Sequence, residues 1–203
     1  MSAARRSQGA ATIPARVLRV CALYPGLMNI YADRGNLIVL ERRCAWRGIG
    51  FQLAASGLGE QLDGDAHDLF YIGGGQDRDQ ERCALDLVEF KRDALYEVAG
   101  RGGVILAVCG GYQLLGRSYQ LGEETLPGIG LLDAVTIREE GPRLIGNVAI
   151  EVELRPGERR VLAGFENHGG RTTWVRGPSR WDACSRDTAT TTATDTKALV
   201  IAA

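Results

Sequence analysis

Histidine is scarce in this chain: among 203 residues there are two, His67 and His168. The five cysteines (Cys21, Cys44, Cys83, Cys109 and Cys184) are odd in number and include no CxxC pair. A disulfide framework or structural zinc site needs such pairing, so neither is expected, no metal site is expected, and a reducing cytoplasm is the compartment that fits. Net charge is also nearly absent, at −1 with a pI of about 6.2. The basic excess that would draw nucleic acid or an anionic membrane is therefore missing. Long hydrophobic runs are missing too. The longest, Gly103 to Val108, falls far below the roughly 20 residues a spanning helix needs, so no membrane span is expected. Residues 1–16, MSAARRSQGAATIPAR, lack the apolar stretch of a signal peptide and read as a disordered lead-in.

What is present is a 45% apolar composition, enough for a packed core, and a regular alternation of elements. Val17 to Leu23 (VLRVCAL) reads as a buried strand stopped by Tyr24-Pro25-Gly26. Asp33 to Arg47 reads as a helix with Leu37, Leu40, Cys44 and Ile38 on its apolar side, followed by a strand over Phe51 to Ala54. Asp68 to Ile72 reads as a third strand running into Gly73-Gly74-Gly75. A long helix over Asp79 to Ala99 then carries Leu85, Val88, Leu95 and Val98 near helical spacing. Gly103 to Val108 (GVILAV) is apolar on both faces, as central strands of parallel sheets are, and a helix over Tyr112 to Gly116 follows. The order predicts an α/β fold with a doubly wound, mostly parallel sheet flanked by helices. The second half is more β-rich: Leu144 to Leu154 alternates, and Arg160 to Phe165 is its expected partner. From residue 176 to 203 the chain becomes Thr-rich and low in complexity, which predicts a mobile tail with at most a short strand at Ala198 to Ala202.

Four places carry candidate chemistry. In AVCGGYQLLG a buried strand ends on Cys109, and Gly110-Gly111 lead into a helix. This pattern fits a nucleophile elbow, with the helix N-terminus favouring thiolate and the Gly110 N–H aimed at an oxyanion. It also fits a structural cysteine beside a tight turn. In YIGGGQDRDQ three glycines at a strand's carboxyl end let backbone approach a ligand, or simply form a turn. A phosphate loop is disfavoured, because neither GxxxxGK[ST] nor GxGxxG is present. GFENHGGRT places His168 between glycines, as a base for a thiol or as an ordinary loop histidine. His67, after Asp65 at a strand start, reads as a surface or capping residue. Arg143, in Gly141-Pro142-Arg143, is either solvated or a fork for a ligand carboxylate.

Taken in order, LYPGLMNIYADRGN, YIGGGQDRDQ, AVCGGYQLLG, LPGIGLLD and GFENHGGRT resemble the GatD family from about Val17 to Thr172. GatD proteins are the glutamine amidotransferase subunits of lipid II isoglutaminyl synthase, within the CobB/CobQ-type class I amidotransferases. The resemblance implies a glutamine amidotransferase domain over residues 17–175. It implies a heterodimer with a MurT-like subunit of the Mur-ligase family. Glutamine hydrolysis here would supply ammonia, and ATP and Mg would act in the partner to amidate the D-glutamate α-carboxylate of lipid II. No cofactor is implied in this subunit. By motif, Cys109 is the nucleophile, Gly74, Gly75 and Gly110 supply backbone donors, and Gln113 and Arg143 contact substrate. The family's activating histidine lies in a later segment resembling TYLHGP, which this sequence lacks; after Arg171 the family pattern gives way to the Thr-rich tail. A frameshifted or truncated C-terminus is one expectation, with His168 as a substitute base. Two alternatives stand beside the glutaminase: a cobyrinate-type amidotransferase, and a catalytically impaired subunit that still binds its partner.

Overall fold

A strand buried on both faces must send alternate side chains into two different cores. β1 (Val17–Leu23) does so. Val20 and Ala22 face one layer, and Cys21 and Leu23 face the other. β2 (Gly50–Ser56), β3 (Leu69–Ile72) and β4 (Val104–Ala107) join it in a parallel sheet of order β2-β1-β3-β4. β3 divides likewise, Leu69 and Tyr71 against Phe70 and Ile72. In this computed structural model the described residues are 16–29, 33–138, 141–155, 157–175, 191–193 and 199–201.

Helix α1 (Asp33–Ala45) covers the first layer with Leu37 and the half-buried Leu40. The second layer is covered by α2 (Asp77–Asp86), a five-residue π-helical turn (Leu87–Lys91) and α3 (Arg92–Gly100). Their core contributions include Cys83, Leu87, Leu95 and Val98. The sheet is thus wound on both sides, as the alternation predicts.

The helices differ from the sequence reading in three ways. Ile38 is 48% exposed and Leu85 is 59% exposed. Both stand one position off buried faces, which pass through Leu37 in α1 and through Ala84 and Leu87 in the second layer. The expected single helix over Asp79 to Ala99 also widens at its middle, so the structure has α, π and α segments. The buried phase there is Gln80, Cys83, Ala84, Leu87, Lys91, Leu95 and Val98, with a glutamine and a lysine at core positions.

After β4 the chain turns at Cys109 into α4 (Gly110–Leu115), which starts two residues and ends one residue before the expected Tyr112 to Gly116. The β-rich half follows. β5 (Ser118–Leu121), β6 (Glu124–Pro127), β7 (Ala134–Arg138) and β10 (Gly170–Trp174) form a mixed sheet of order β10-β7-β5-β6. β8 (Leu144–Arg155) and β9 (Glu158–His168) form a separate antiparallel hairpin, the pairing expected from their alternation. Leu126, Ile129, Leu132 and Ala134 pack into the core beneath α2 and α3, which fastens the second half to the first.

β11 (Thr191–Ala193) and β12 (Leu199–Ile201) pair antiparallel within the Thr-rich segment. β12 coincides with the strand expected near Ala198 to Ala202. The disordered lead-in, apart from Arg16, and most of the expected mobile tail lie outside the described residues. No helix among the described residues is long and apolar enough to cross a membrane.

Candidate active site

Parallel pairing of β3 with β4 brings their carboxyl ends side by side, and with them the glycine triplet and Cys109. Two backbone bonds lock the junction. Val108 N donates to the Ile72 carbonyl at 2.9 Å, and Gly111 N donates to the Gly73 carbonyl at 3.0 Å. Between them Cys109 adopts φ +53° and ψ −117°. Only it and Tyr24 among the described non-glycine residues have positive φ. A side chain in that region carries strain of about 1–3 kcal/mol and persists where the surroundings impose it. Here the strain turns the thiol outward, so Cys109 is exposed while Cys21, Cys44 and Cys83 are buried.

The two glycines after Cys109 are required by contact. A Cβ at Gly111 would stand 2.6 Å from the Ile72 carbonyl oxygen. A Cβ at Gly110 would overlap the Gln80 carboxamide and stand 3.3 Å from Gly75 N. The backbones of Gly75 and Gly110, two of the expected oxyanion donors, therefore face each other across the elbow. On its other side Gly75 admits no Cβ because Met28 Sδ fills that space. Gln80 is 4% exposed, and its Oε1 has no hydrogen-bond partner. Gly74 is buried in the same loop.

The short helix α4 is fastened at its far end by the LPGIGLLD segment. Ile129 N donates to the Leu114 carbonyl at 3.0 Å, Leu132 N to that of Leu115 at 2.9 Å, and Gly130 N to that of Gly116 at 2.8 Å. The last carbonyls of a helix have no intrahelical partner, and this loop supplies three.

Gln113, half-buried on α4, points toward β10: a Cβ at Gly170 would stand 3.3 Å from its Nε2. Its side chain also lies close to Tyr119. Burial pushes the Tyr119 phenol above its ordinary range, and the nearby Asp77 and Cys109 push it the same way. Tyr119, Gln80 and Met28 escaped the sequence reading. For Gln80 a signal existed, since a polar residue at the buried phase of a helix requires an explanation.

Arg143 stands at the root of the hairpin. Its Nε donates to Asn167 Oδ1 at 3.1 Å and its NH2 to the Asn167 carbonyl at 2.9 Å. It is exposed, so the remaining guanidinium edge faces solvent. His168 Nδ1 lies 2.8 Å from the Gly170 carbonyl and its Nε2 3.2 Å from Glu166 Oε2. Each ring nitrogen therefore has an oxygen neighbour within the same strand turn. The other histidine, His67, lies just before β3. It is half-buried and packs edge-on against Phe70 at 5.7 Å. Among the described residues no group of three or more His, Cys, Asp or Glu is arranged for a metal ion.

Residues 19–198 match the CobB/CobQ-like glutamine amidotransferase domain. The chain belongs to the CobB/CobQ-like glutamine amidotransferase family. Within that family it is 34% identical over 156 residues to the lipid II isoglutaminyl synthase (glutamine-hydrolyzing) subunit GatD of Streptococcus pneumoniae. It is 38% identical over 146 residues to the same subunit of Staphylococcus aureus. These matches cover 76% and 71% of this chain, and the chain spans 58% of each relative's length. A probable cobyric acid synthase of Methanopyrus kandleri is 40% identical, but over 43% of this chain and 20% of that protein. Two solved structures share the fold. One is from PurLQS of Thermotoga maritima (TM-score 0.55, 21% identity, covering 79% of this chain and 71% of that one). The other is a Thermotoga maritima glutamine amidotransferase (TM-score 0.54, 17% identity, 91% and 74%). The CobB/CobQ-like assignment agrees with the doubly wound sheet and its elbow.

One prediction arises directly from the elbow. Iodoacetamide on the native protein should alkylate Cys109 well before Cys21, Cys44 or Cys83. Burial pushes the Cys21 thiol up to about 11 and that of Cys83 up to about 12, which removes both thiolate and access. Peptide mass mapping over a time course measures this. Labelling of Cys83 as fast as Cys109 would contradict it.

Proposed function

We propose that this chain is a glutaminase subunit that supplies ammonia to a Mur-ligase-like partner, which amidates the D-glutamate α-carboxylate of lipid II to D-isoglutamine. The observation that carries the reading is the strained, exposed Cys109 set beside Gly75 and Gly110. The similarity to two GatD subunits supports the choice of acceptor over the cobyrinate-type alternative, whose matches cover less of this chain.

Cys109 Sγ adds to the side-chain amide carbon of glutamine, and the carbonyl oxygen becomes an oxyanion. The N–H groups of Gly75 and Gly110, with Gly74 in the same loop, stabilise that charge. Collapse breaks the C–N bond and releases ammonia once the leaving nitrogen gains a proton. Water then cleaves the γ-glutamyl thioester, giving glutamate and the free thiol. Arg143 binds the substrate carboxylate through its open guanidinium edge, and Gln113 fixes the substrate's orientation.

A second reading has its own observation. Both nitrogens of His168 have oxygen neighbours, the Gly170 carbonyl and the Glu166 carboxylate. A thiol without a general base loses roughly 10²–10⁴-fold in rate. On this reading the chain binds its partner but hydrolyses glutamine poorly. The deciding experiment mixes the chain with a Mur-ligase-like subunit, ATP, Mg, glutamine and lipid II, and follows ammonia and amidated product. Product that depends on glutamine and on this chain is the expected result. Amidation from added ammonium chloride but not from glutamine would favour the impaired subunit and reject the glutaminase.

A further inference from the structure

The carboxyl edge of the parallel sheet holds a charged cluster that no step of glutamine hydrolysis uses. The Lys91 side chain is 0% exposed and that of Asp86 is 7% exposed. Lys91 Nζ donates to Asp86 Oδ1 at 2.6 Å and to the Glu60 carbonyl at 2.9 Å, and it lies 4.8 Å from the centre of the Tyr24 ring. The Tyr24 hydroxyl donates to the same carboxylate oxygen at 2.6 Å, and Gly59 N donates to the other. The cluster joins three segments: the turn after β1, the loop after β2, and the π-helical turn that ends on Lys91. Insertions of that kind in helices are frequent at functional sites.

Apolar side chains of similar volume would fill this space at least as favourably. A buried ion pair gives up nearly as much hydration as it gains in attraction. The cluster is better explained by what it places. Tyr24 is held at φ +51°, a conformation that is an outlier for a bulky residue. Its N–H donates to the Ser56 carbonyl at 2.8 Å. Its own carbonyl accepts from Leu27 N at 2.9 Å and Met28 N at 2.8 Å. That tight turn delivers Met28, 1% exposed, against Gly75. Gly75 in turn faces Gly110 across the elbow. From the ammonium to the oxyanion loop there is an unbroken line of packed or hydrogen-bonded groups.

We propose that Lys91, Asp86 and Tyr24 are positioning residues that hold the Gly74–Gly75 loop at the spacing required for oxyanion binding, acting through Met28. The inference rests on the glutaminase reading above. It assigns the cluster to the rate of the chemical step and not to substrate binding, because Arg143 and Gln113 lie at a different edge of the site.

The test compares the full chain with two variants, Tyr24→Phe and the apolar pair Asp86→Leu with Lys91→Met. Four quantities are measured on each: kcat and KM for ammonia release in the presence of the partner, the alkylation rate of Cys109, and amide hydrogen exchange across residues 73–76. In the paired variant kcat should fall roughly tenfold to a hundredfold, below the loss of about 10²–10³ seen when an oxyanion donor is deleted outright. KM should change by less than about threefold, the pattern of an interaction made only in the transition state. The Cys109 alkylation rate should hold, while exchange at residues 73–76 accelerates. A merely structural role would leave kcat and that local exchange untouched in a folded variant, and such a result overturns the proposal. If the paired variant does not fold, Tyr24→Phe keeps the ring and decides by the same two readouts. If the parent chain releases no ammonia, the glutaminase reading fails, while unchanged exchange at residues 73–76 separately rejects the placement of the loop by this cluster.

Discussion

Replacing Cys109 by alanine should abolish ammonia release from glutamine, a loss on the order of 10⁴–10⁶-fold, as deletion of a covalent nucleophile gives in comparable hydrolases. No other described cysteine is placed to take over. Cys21, Cys44 and Cys83 are buried, and the thiols of Cys21 and Cys83 are pushed up to about 11 and about 12 by desolvation. Alanine keeps the Cβ, so the backbone at φ +53° carries much the same strain and the fold should be unchanged. The loss would then be chemical. A coupled glutamate assay measures it, with mass spectrometry of a quenched reaction as a second readout. The parent should accumulate a covalent γ-glutamyl adduct on the peptide containing Cys109, and the variant should show none. Hydrolysis by the variant at the parental rate would remove Cys109 from the mechanism.

The largest effect on stability should come from Lys91→Met alone, about 3–5 kcal/mol, because it leaves the Asp86 carboxylate buried and uncompensated. Adding Asp86→Leu should restore most of that loss, although it removes a further polar group. Urea unfolding of the three proteins tests this, and a paired variant less stable than Lys91→Met would contradict it. The pH dependence has a definite sign. Burial acts to raise the Asp86 pKa, but the Gly59 N–H, Lys91 and Tyr24 outweigh it and hold the carboxyl below its ordinary range. A depressed carboxyl contributes stability that is fully present above its unfolded value, about 3.9, and is lost as pH falls through the folded value. Between neutral pH and pH values below 4 the parent should therefore lose more stability than the paired variant.

The parallel sheet was legible because burial on both faces writes itself as short, nearly unbroken apolar strings, such as VLRVCAL and VILA. The elbow was legible for a related reason. A strand followed by a cysteine and two glycines leaves few ways for the chain to continue, and the contacts at Gly110 and Gly111 explain why no larger residue stands there. The small mixed sheet was not legible. β5, β6 and β7 are four or five residues long, and what defines them is pairing with distant partners, as when Thr136 meets Thr172 with their hydroxyls 2.8 Å apart. Lys91 was hidden for the opposite reason. Lysine is normally solvated, and nothing local announces that a carboxylate, a tyrosine ring and a carbonyl converge on it. Met28 gains its place only when the turn after β1 closes on the loop after β3, and Tyr119 only when β5 pairs with β7. The resemblance to GatD subunits supplied residue roles that composition and spacing alone left open at Arg143 and His168.

The loop that fastens α4 has a consequence for how this site can drift over generations. Helix α4 is secured at its far end by backbone N–H groups of Ile129, Gly130 and Leu132. Each residue type except proline presents the same N–H, so point substitutions at Ile129 and Leu132 alter side-chain packing but leave the anchorage in place, whereas Gly130 (φ +72°) and Gly128, where a Cβ would overlap the Gly116 carbonyl oxygen, are fixed by backbone geometry. Loss or gain of one residue between Pro127 and Leu132 is different in kind, since it moves all three donors out of register together. Lineages of this domain should tolerate exchanged letters at Ile129, Leu131 and Leu132 more readily than a changed count of residues across the stretch.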